Sequence, residues 1–150
     1  MPRRSLLPLA ISAIILSACG GEPEDTQPGQ PVAHRRAAFK EMIKSFEEMG
    51  SMLRKDKFNS AKFASLTASL IAVRDKPWQY FSPDTLYPPS RATEAVWSQP
   101  VEFEAHKQAF FAATDKLGAA SGTQDARVAK AAFAEVEKTC RECHDTFKTR

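Results

Sequence analysis

From Val32 onward, the apolar residues of this 150-residue chain recur at three- and four-residue spacings and show no sustained alternation with polar ones. Such spacing belongs to helices packed on one face, because a half-buried strand needs a period of two. In "VAHRRAAFKEMIKSFEEMGSMLR" the residues Phe39, Met42, Phe46, Met49 and Leu53 step by three, four, three and four, giving one apolar stripe on one helix. A second stripe, Phe58, Phe63, Leu66, Leu70 and Val73, stops before "DKPWQYFSPDTLYPPS". There Pro77, Pro83, Pro88 and Pro89 exclude regular helix and central strand. Trp78, Tyr80, Phe81 and Tyr87 give this stretch enough apolar weight to pack, and a connection of this length wraps something. A third segment runs from about Thr93 to Leu117 through Val96, Trp97, Phe103 and Phe110, with Pro100 in its first turn or breaking it. Gly118 and Gly122 punctuate the next turn, and Thr123 is the expected N-cap of a final helix. The pattern predicts an all-α protein, an antiparallel four-helix bundle with two short turns and a long Pro-rich crossover between helices 2 and 3.

The chain ahead of this domain reads differently. "MPRRSLLPLAISAIILSAC" places Arg3 and Arg4 before an apolar run from Leu6 to Leu16 and then small residues, the layout of a secretory signal. The run is too short to span a bilayer, which takes about 20 residues. Leu16-Ser17-Ala18-Cys19 looks like a bacterial lipobox, in which residues 1–18 are removed and Cys19 is lipidated as the new N-terminus. An ordinary soluble secretory signal cleaved nearby is the alternative. "GGEPEDTQPGQP" follows, Gly-, Pro- and acid-rich, so residues 19–31 read as a flexible tether and 32–150 as the domain. Gly20 is not the aspartate that usually retains such proteins at the inner membrane, which favours an outer-membrane anchor on the periplasmic side. Removing residues 1–18 takes away two cations and no acid, so the formal charge falls from +3 to +1. No basic cluster with interleaved aromatics remains, and a nucleic-acid partner is not indicated.

The chemistry sits six residues from the end. On the last helix Val128, Ala132, Val136, Cys140, Cys143 and Phe147 step by four, four, four, three and four, so both cysteines fall on the buried stripe with His144 beside them. Cys-x-x-Cys-His is the attachment motif of c-type haem. Two thiols one helical turn apart add to the porphyrin vinyl groups, and the adjacent histidine reaches the iron. A thioredoxin-type disulfide wants the motif after a strand, and structural zinc wants a second ligand pair, whereas His34 and His106 are isolated. Two plain buried cysteines would tend to oxidise in an exported chain. The expected cofactor is one haem c, covalent through Cys140 and Cys143.

A haem motif at the C-terminal end of a four-helix chain resembles the cytochrome c′ family, the class II c-type cytochromes, over about residues 32–150. "VAHRRAAFKEM" is similar to the family's first helix, in which an arginine precedes by four the side chain facing the open side of the iron; here these are Arg35 and Phe39. "KPWQYF" and "VWSQPVEFEAHKQAF" resemble its crossover and third helix, and "CRECHDTFK" its haem-binding helix, with Lys148 at a position usually basic. The resemblance implies five-coordinate iron with His144 as the only axial protein ligand and Phe39 screening the other face. Met42, one turn on, is the competing sixth ligand of a low-spin electron-transfer cytochrome, although a methionine on this stripe also suits the core. Arg35 pairs with a haem propionate or is a solvated charge at the helix start. Lys148 tunes His144 electrostatically or serves the helix dipole.

Two functions from different classes fit such a site. One is capture of diatomic gases, nitric oxide and carbon monoxide; the other is single-electron transfer between redox partner proteins outside the cytoplasm. No nucleophile with a base and no carboxylate pair at a cleft points to an enzyme. The resemblance also implies homodimers through the first helix, whereas Lys40, Lys44, Glu47 and Glu48 put charge on that helix's outward face and suit a monomer.

Overall fold

The computed structural model describes residues 23–149, so the expected signal segment 1–18 and Cys19 lie outside the described residues. Five α-helices follow in order, α1 (Pro31–Arg54), α2 (Ser60–Val73), α3 (Ala95–Ser98), α4 (Pro100–Ala120) and α5 (Ala126–Phe147), with a 3₁₀ turn at Trp78–Tyr80. The four long helices make an antiparallel bundle in which α1 packs on α2 and α4 on α5. Met49, Phe63, Leu117 and Val136, one from each long helix, are fully buried at its centre. Each such side chain contributes about 1.5–3 kcal/mol through removal of apolar surface from water. Among the described residues the only β pairing is an isolated antiparallel bridge of Ala92 with Lys148.

Local chemistry moved several expected boundaries. Asn59 caps α2 by accepting from the Lys62 amide at 2.8 Å, which leaves Phe58 outside the helix with its ring on Phe63. The third segment is broken at Gln99 (φ −125°, ψ 58°), and Pro100 opens α4, where its missing N–H costs nothing. Gly118 lies inside α4 and lets α2 approach closely, since a Cβ there would come within 2.9 Å of Ile71 Cδ1. Asp125, not Thr123, caps α5, accepting from the Arg127 amide at 2.8 Å; Thr123 Oγ1 instead accepts from the Asp125 amide. The buried stripe of α5 begins at Ala129 (0% exposed), and Val128 is 46% exposed. Steps of four overshoot a helical turn, so Val128 is rotated about 80° from Val136 whereas Ala129 is within about 20°.

The expected tether of residues 19–31 is folded onto the domain from Pro23 onward. Gly29 (φ 72°) and Gln30 (φ 45°) turn the chain through the left-handed region, bringing Asp25 back over the first turn of α1. Its Oδ2 accepts from the Val32 and Ala33 amides at 2.9 and 3.0 Å, and Oδ1 from the Gln27 amide at 3.1 Å. Tyr87 Oη donates to the same carboxylate at 3.3 Å, and Asp25 is 2% exposed. Gln30, at the N-cap position, makes no side-chain cap, so Asp25 satisfies amides that α1 leaves open. Burial alone would raise the Asp25 pKa, but the Ala33 and Gln27 amides, Tyr87 and the Val32 amide outweigh it and hold the carboxylate below its ordinary 3.8.

Candidate functional site

The crossover, residues 74–94, begins and ends at the bundle end that holds the start of α1 and the finish of α5. Its first half is bound to α1 by Arg35, which is 4% exposed. Arg35 Nη1 donates to Tyr80 O and Thr85 Oγ1 at 3.1 and 3.0 Å, and Nη2 to Thr85 O and Ser90 Oγ at 3.1 and 2.7 Å. The guanidinium also lies over the Phe81 ring, 4.4 Å from its centroid. Of the two readings of Arg35, a propionate partner or a solvated charge, the second is overturned: the crossover's carbonyls and hydroxyls desolvate Arg35 and take four of its five N–H donors.

With the crossover fixed, its aromatic residues converge on Phe39. The Phe39 ring meets Trp78 and Phe81 edge-on, at centroid distances of 5.6 and 6.2 Å. Contacts continue from Phe81 to Phe103 at 5.1 Å and from Phe103 to Phe147 at 5.2 Å, reaching α5 three residues beyond His144. Met42 is 6% exposed within the core cluster. His34 stacks on Tyr80, and His106 meets Phe147 edge-on.

The end of α5 is held from the same crossover by its second half. Thr93 N donates to Phe147 O at 3.1 Å, Thr93 Oγ1 to Thr146 O at 2.8 Å, and Thr149 N to Arg91 O at 2.8 Å. Arg91 Nη2 donates to Thr149 O at 2.8 Å. Two of the carbonyls that α5 leaves without partners are thereby satisfied. Lys148 leaves the helix in extended backbone (φ −134°, ψ 133°). It lines, with Arg91, His144, Asp145 and Thr149, an open cavity of about 230 Å³. Although His144 as a whole is exposed, its ring is desolvated enough to lower its pKa, helped by Lys148 and Arg91 and opposed by Asp145. The neutral imidazole, with a lone pair to give, is favoured.

Cys140 and Cys143 are free and partly buried, and Cys140 packs against the core. Burial, with Cys143 adding for Cys140, pushes both thiols up to about 11, so they are uncharged at neutral pH. Buried neutral thiols suit thioether bonds, which leave no charge in an apolar wall, better than thiolate ligation. Among the described residues no group of three or more His, Cys, Asp and Glu side chains is placed to hold a metal ion. Two neutral thiols and one neutral imidazole fit haem c, which would bring its own nitrogen donors and link covalently to the thiols.

Residues 30–148 match the sequence profile of cytochrome C′. The chain belongs to the cytochrome c′ family. It is 34% identical over 126 residues to the cytochrome c′ of Rubrivivax gelatinosus, covering 83% of this chain and 98% of the relative. The crystal structure of cytochrome c′ from Rubrivivax gelatinosus superposes with a TM-score of 0.75 at 32% identity, over 84% of this chain and all of that one. A nitric oxide complex of a cytochrome c prime variant from Alcaligenes xylosoxidans matches with a TM-score of 0.76 at 27% identity, over 85% of this chain and 100% of that one. As a member of the cytochrome c′ family the protein is a haem protein with one covalent haem c, and Cys140 and Cys143 are the cysteines its described residues offer for it.

Sequence reasoning missed Asp25, Thr85, Ser90, Arg91 and Thr93. A Gly/Pro/acid-rich composition hides a capping carboxylate, and the partners of Arg35 lie 45 to 55 residues downstream where no periodicity points to them. Arg91 and Thr93 meet α5 through a bridge that leaves no signature in either segment.

Proposed function

We propose that this protein is a c-type haem protein of the cell envelope that binds diatomic gases, nitric oxide above all, at five-coordinate iron and exchanges single electrons with redox partner proteins. In this reading Cys140 and Cys143 carry the thioether bonds, His144 is the only axial ligand from the protein, and Phe39 screens the opposite face. The haem, when bound, supplies an iron with an open coordination position and a transferable electron. The observation that carries the reading is the bracing of Phe39, whose ring has no lone pair to give and whose position is fixed on two edges by Trp78 and Phe81. A ring held in this way excludes water and bulky ligands while yielding to a diatomic molecule. The nitric oxide complex of the Alcaligenes relative supports the choice of ligand.

The alternative, a low-spin cytochrome with Met42 as sixth ligand, is less well supported, because the Met42 side chain fills the core between helices. Optical and spin-state spectra of the purified holoprotein test the choice. High-spin five-coordinate iron that takes up nitric oxide and carbon monoxide is expected, and a low-spin spectrum with a methionine signature would replace this reading by the Met42 one. Lys148 tunes His144 through the shared cavity, and Arg35, through its remaining Nε–H, is the weaker candidate for a propionate contact.

The protein is anchored by lipid on Cys19 on the periplasmic side, at the outer membrane. Among the described residues no helix is long and apolar enough to cross a membrane. Fractionation checks the anchor: wild type is expected with outer membranes and Cys19→Ser in the soluble periplasm. Lys40, Lys44, Glu47 and Glu48 are all exposed on α1, which supports a monomer over a homodimer through that helix, and sedimentation of the holoprotein distinguishes the two.

A further inference from the structure

The N-terminal strap, the crossover and the end of α5 occupy one end of the bundle, and the strap leaves from a fixed point there. Asp25 locks the strap through the Gln27, Val32 and Ala33 amides and through Tyr87, and Arg36 Nη1 donates to Pro23 O at 3.0 Å. Upstream of Pro23 the sequence has only four more residues to Cys19. Even fully extended, four residues reach at most about 14 Å. Beside this exit stands an apolar tip of the crossover. Leu86 is 41% exposed, Pro88 is exposed, and Tyr87 between them is tied to Asp25 by its hydroxyl.

We infer that this end of the bundle is a membrane-contact surface, with the strap and the Leu86–Pro88 tip held against a phospholipid surface so that the end bearing His144 faces the bilayer. The inference rests on the lipidation of Cys19 proposed above. A long flexible linker lets a domain tumble about its anchor, whereas a short one fixed on a folded strap presents one face. The opposite end, with Val128 and the turn at residues 121–125, stands a helix length away, about 30 Å. Facing the bilayer places the site where apolar diatomic gases concentrate, since they dissolve better in lipid than in water. It also directs electron exchange toward partners embedded in the membrane.

The experiment uses full-length, acylated, haem-loaded protein on vesicles of phosphatidylethanolamine and phosphatidylglycerol that carry a headgroup diazirine. After irradiation, lipid adducts are mapped by mass spectrometry. Adducts at residues 82–88 are expected in about tenfold excess over residues 121–128, and inserting about twenty Gly/Ser residues between Gly21 and Glu22 is expected to abolish that excess. Retained protein labelled equally at both ends, or more at the Val128 end, overturns the orientation and leaves the anchor standing. Protein that is not retained by the vesicles, behaving as Cys19→Ser does, overturns the lipid anchor and the orientation with it.

Discussion

The two halves of the crossover are attached in opposite ways. Residues 80–90 are gathered by one buried cation, Arg35, whose guanidinium takes two carbonyls and two hydroxyls from three residues. Residues 91–93 are held to the end of α5 by two backbone pairs, Thr93–Phe147 and Thr149–Arg91, with side-chain donors of Thr93, Arg91 and Thr149 added to them. A backbone clasp tolerates substitution, because any residue but proline supplies the same N–H and C=O. A side-chain clamp concentrates the attachment in one position. The half that braces Phe39 is therefore the fragile one, and the half beside His144 is the robust one.

The largest test of that contrast is Arg35→Ala, which removes four hydrogen bonds and strands buried acceptors. A loss of about 3 kcal/mol is expected, read as a lower denaturation midpoint at unchanged slope. Hydrogen exchange should quicken around Trp78–Thr85 and stay slow at Phe147–Thr149. Fraying at both places would mean that the two halves are one unit. Next in size is Phe39→Ala. The ring is only partly buried, so about 2 kcal/mol is expected, together with faster carbon monoxide entry into the ferrous protein. Unchanged entry would remove Phe39 from its screening role.

Thr93→Val deletes the hydroxyl bond to Thr146 O and keeps the backbone pairs, at a cost of about 1 kcal/mol or less. Faster exchange confined to the last turn of α5 would mark the clasp as local. The smallest change is Asp25→Asn. The native carboxylate titrates below its ordinary 3.8, so its contribution is complete above that value and fades as pH falls through the lower folded value. The variant should show its full loss at neutral pH, where that contribution is complete, and a flatter decline of stability in acid. An unaltered acid profile would mean that the charge of Asp25 does not stabilise the first turn of α1.

What could be read from the sequence divides along the same line. The stripe of Phe39, Met42, Phe46, Met49 and Leu53 is a local periodicity, and local periodicity survives into the fold. Phe46 indeed stacks on Phe133 of α5 at 4.2 Å. Arg35 was visible as a special position but its partners were not, because a buried cation is satisfied by whatever the tertiary fold brings, here residues far downstream in a segment without a period. Asp25 was hidden for a related reason. Its helix begins six residues later, and only the left-handed turn at Gly29 and Gln30 folds the carboxylate back onto it. Val128 was misplaced by a step pattern that looks regular in the sequence and precesses around the helix.

Trp78 touches the rings of Phe39, Phe81, Phe103, Phe110 and Phe111, and its Nε1 donates to Arg74 O at 2.8 Å. The indole of a connecting segment thus bolts the α1–α2 hairpin to the α4–α5 hairpin. This dictates where the chain can be cut. New termini in the half-exposed turn at residues 121–124, as in a circular permutant, interrupt few contacts beyond those of Thr123 and Gln124 with Ser60 and leave each hairpin's partner in reach. New termini within residues 78–85 would release the bolt and leave the two hairpins joined only by the core their long helices share.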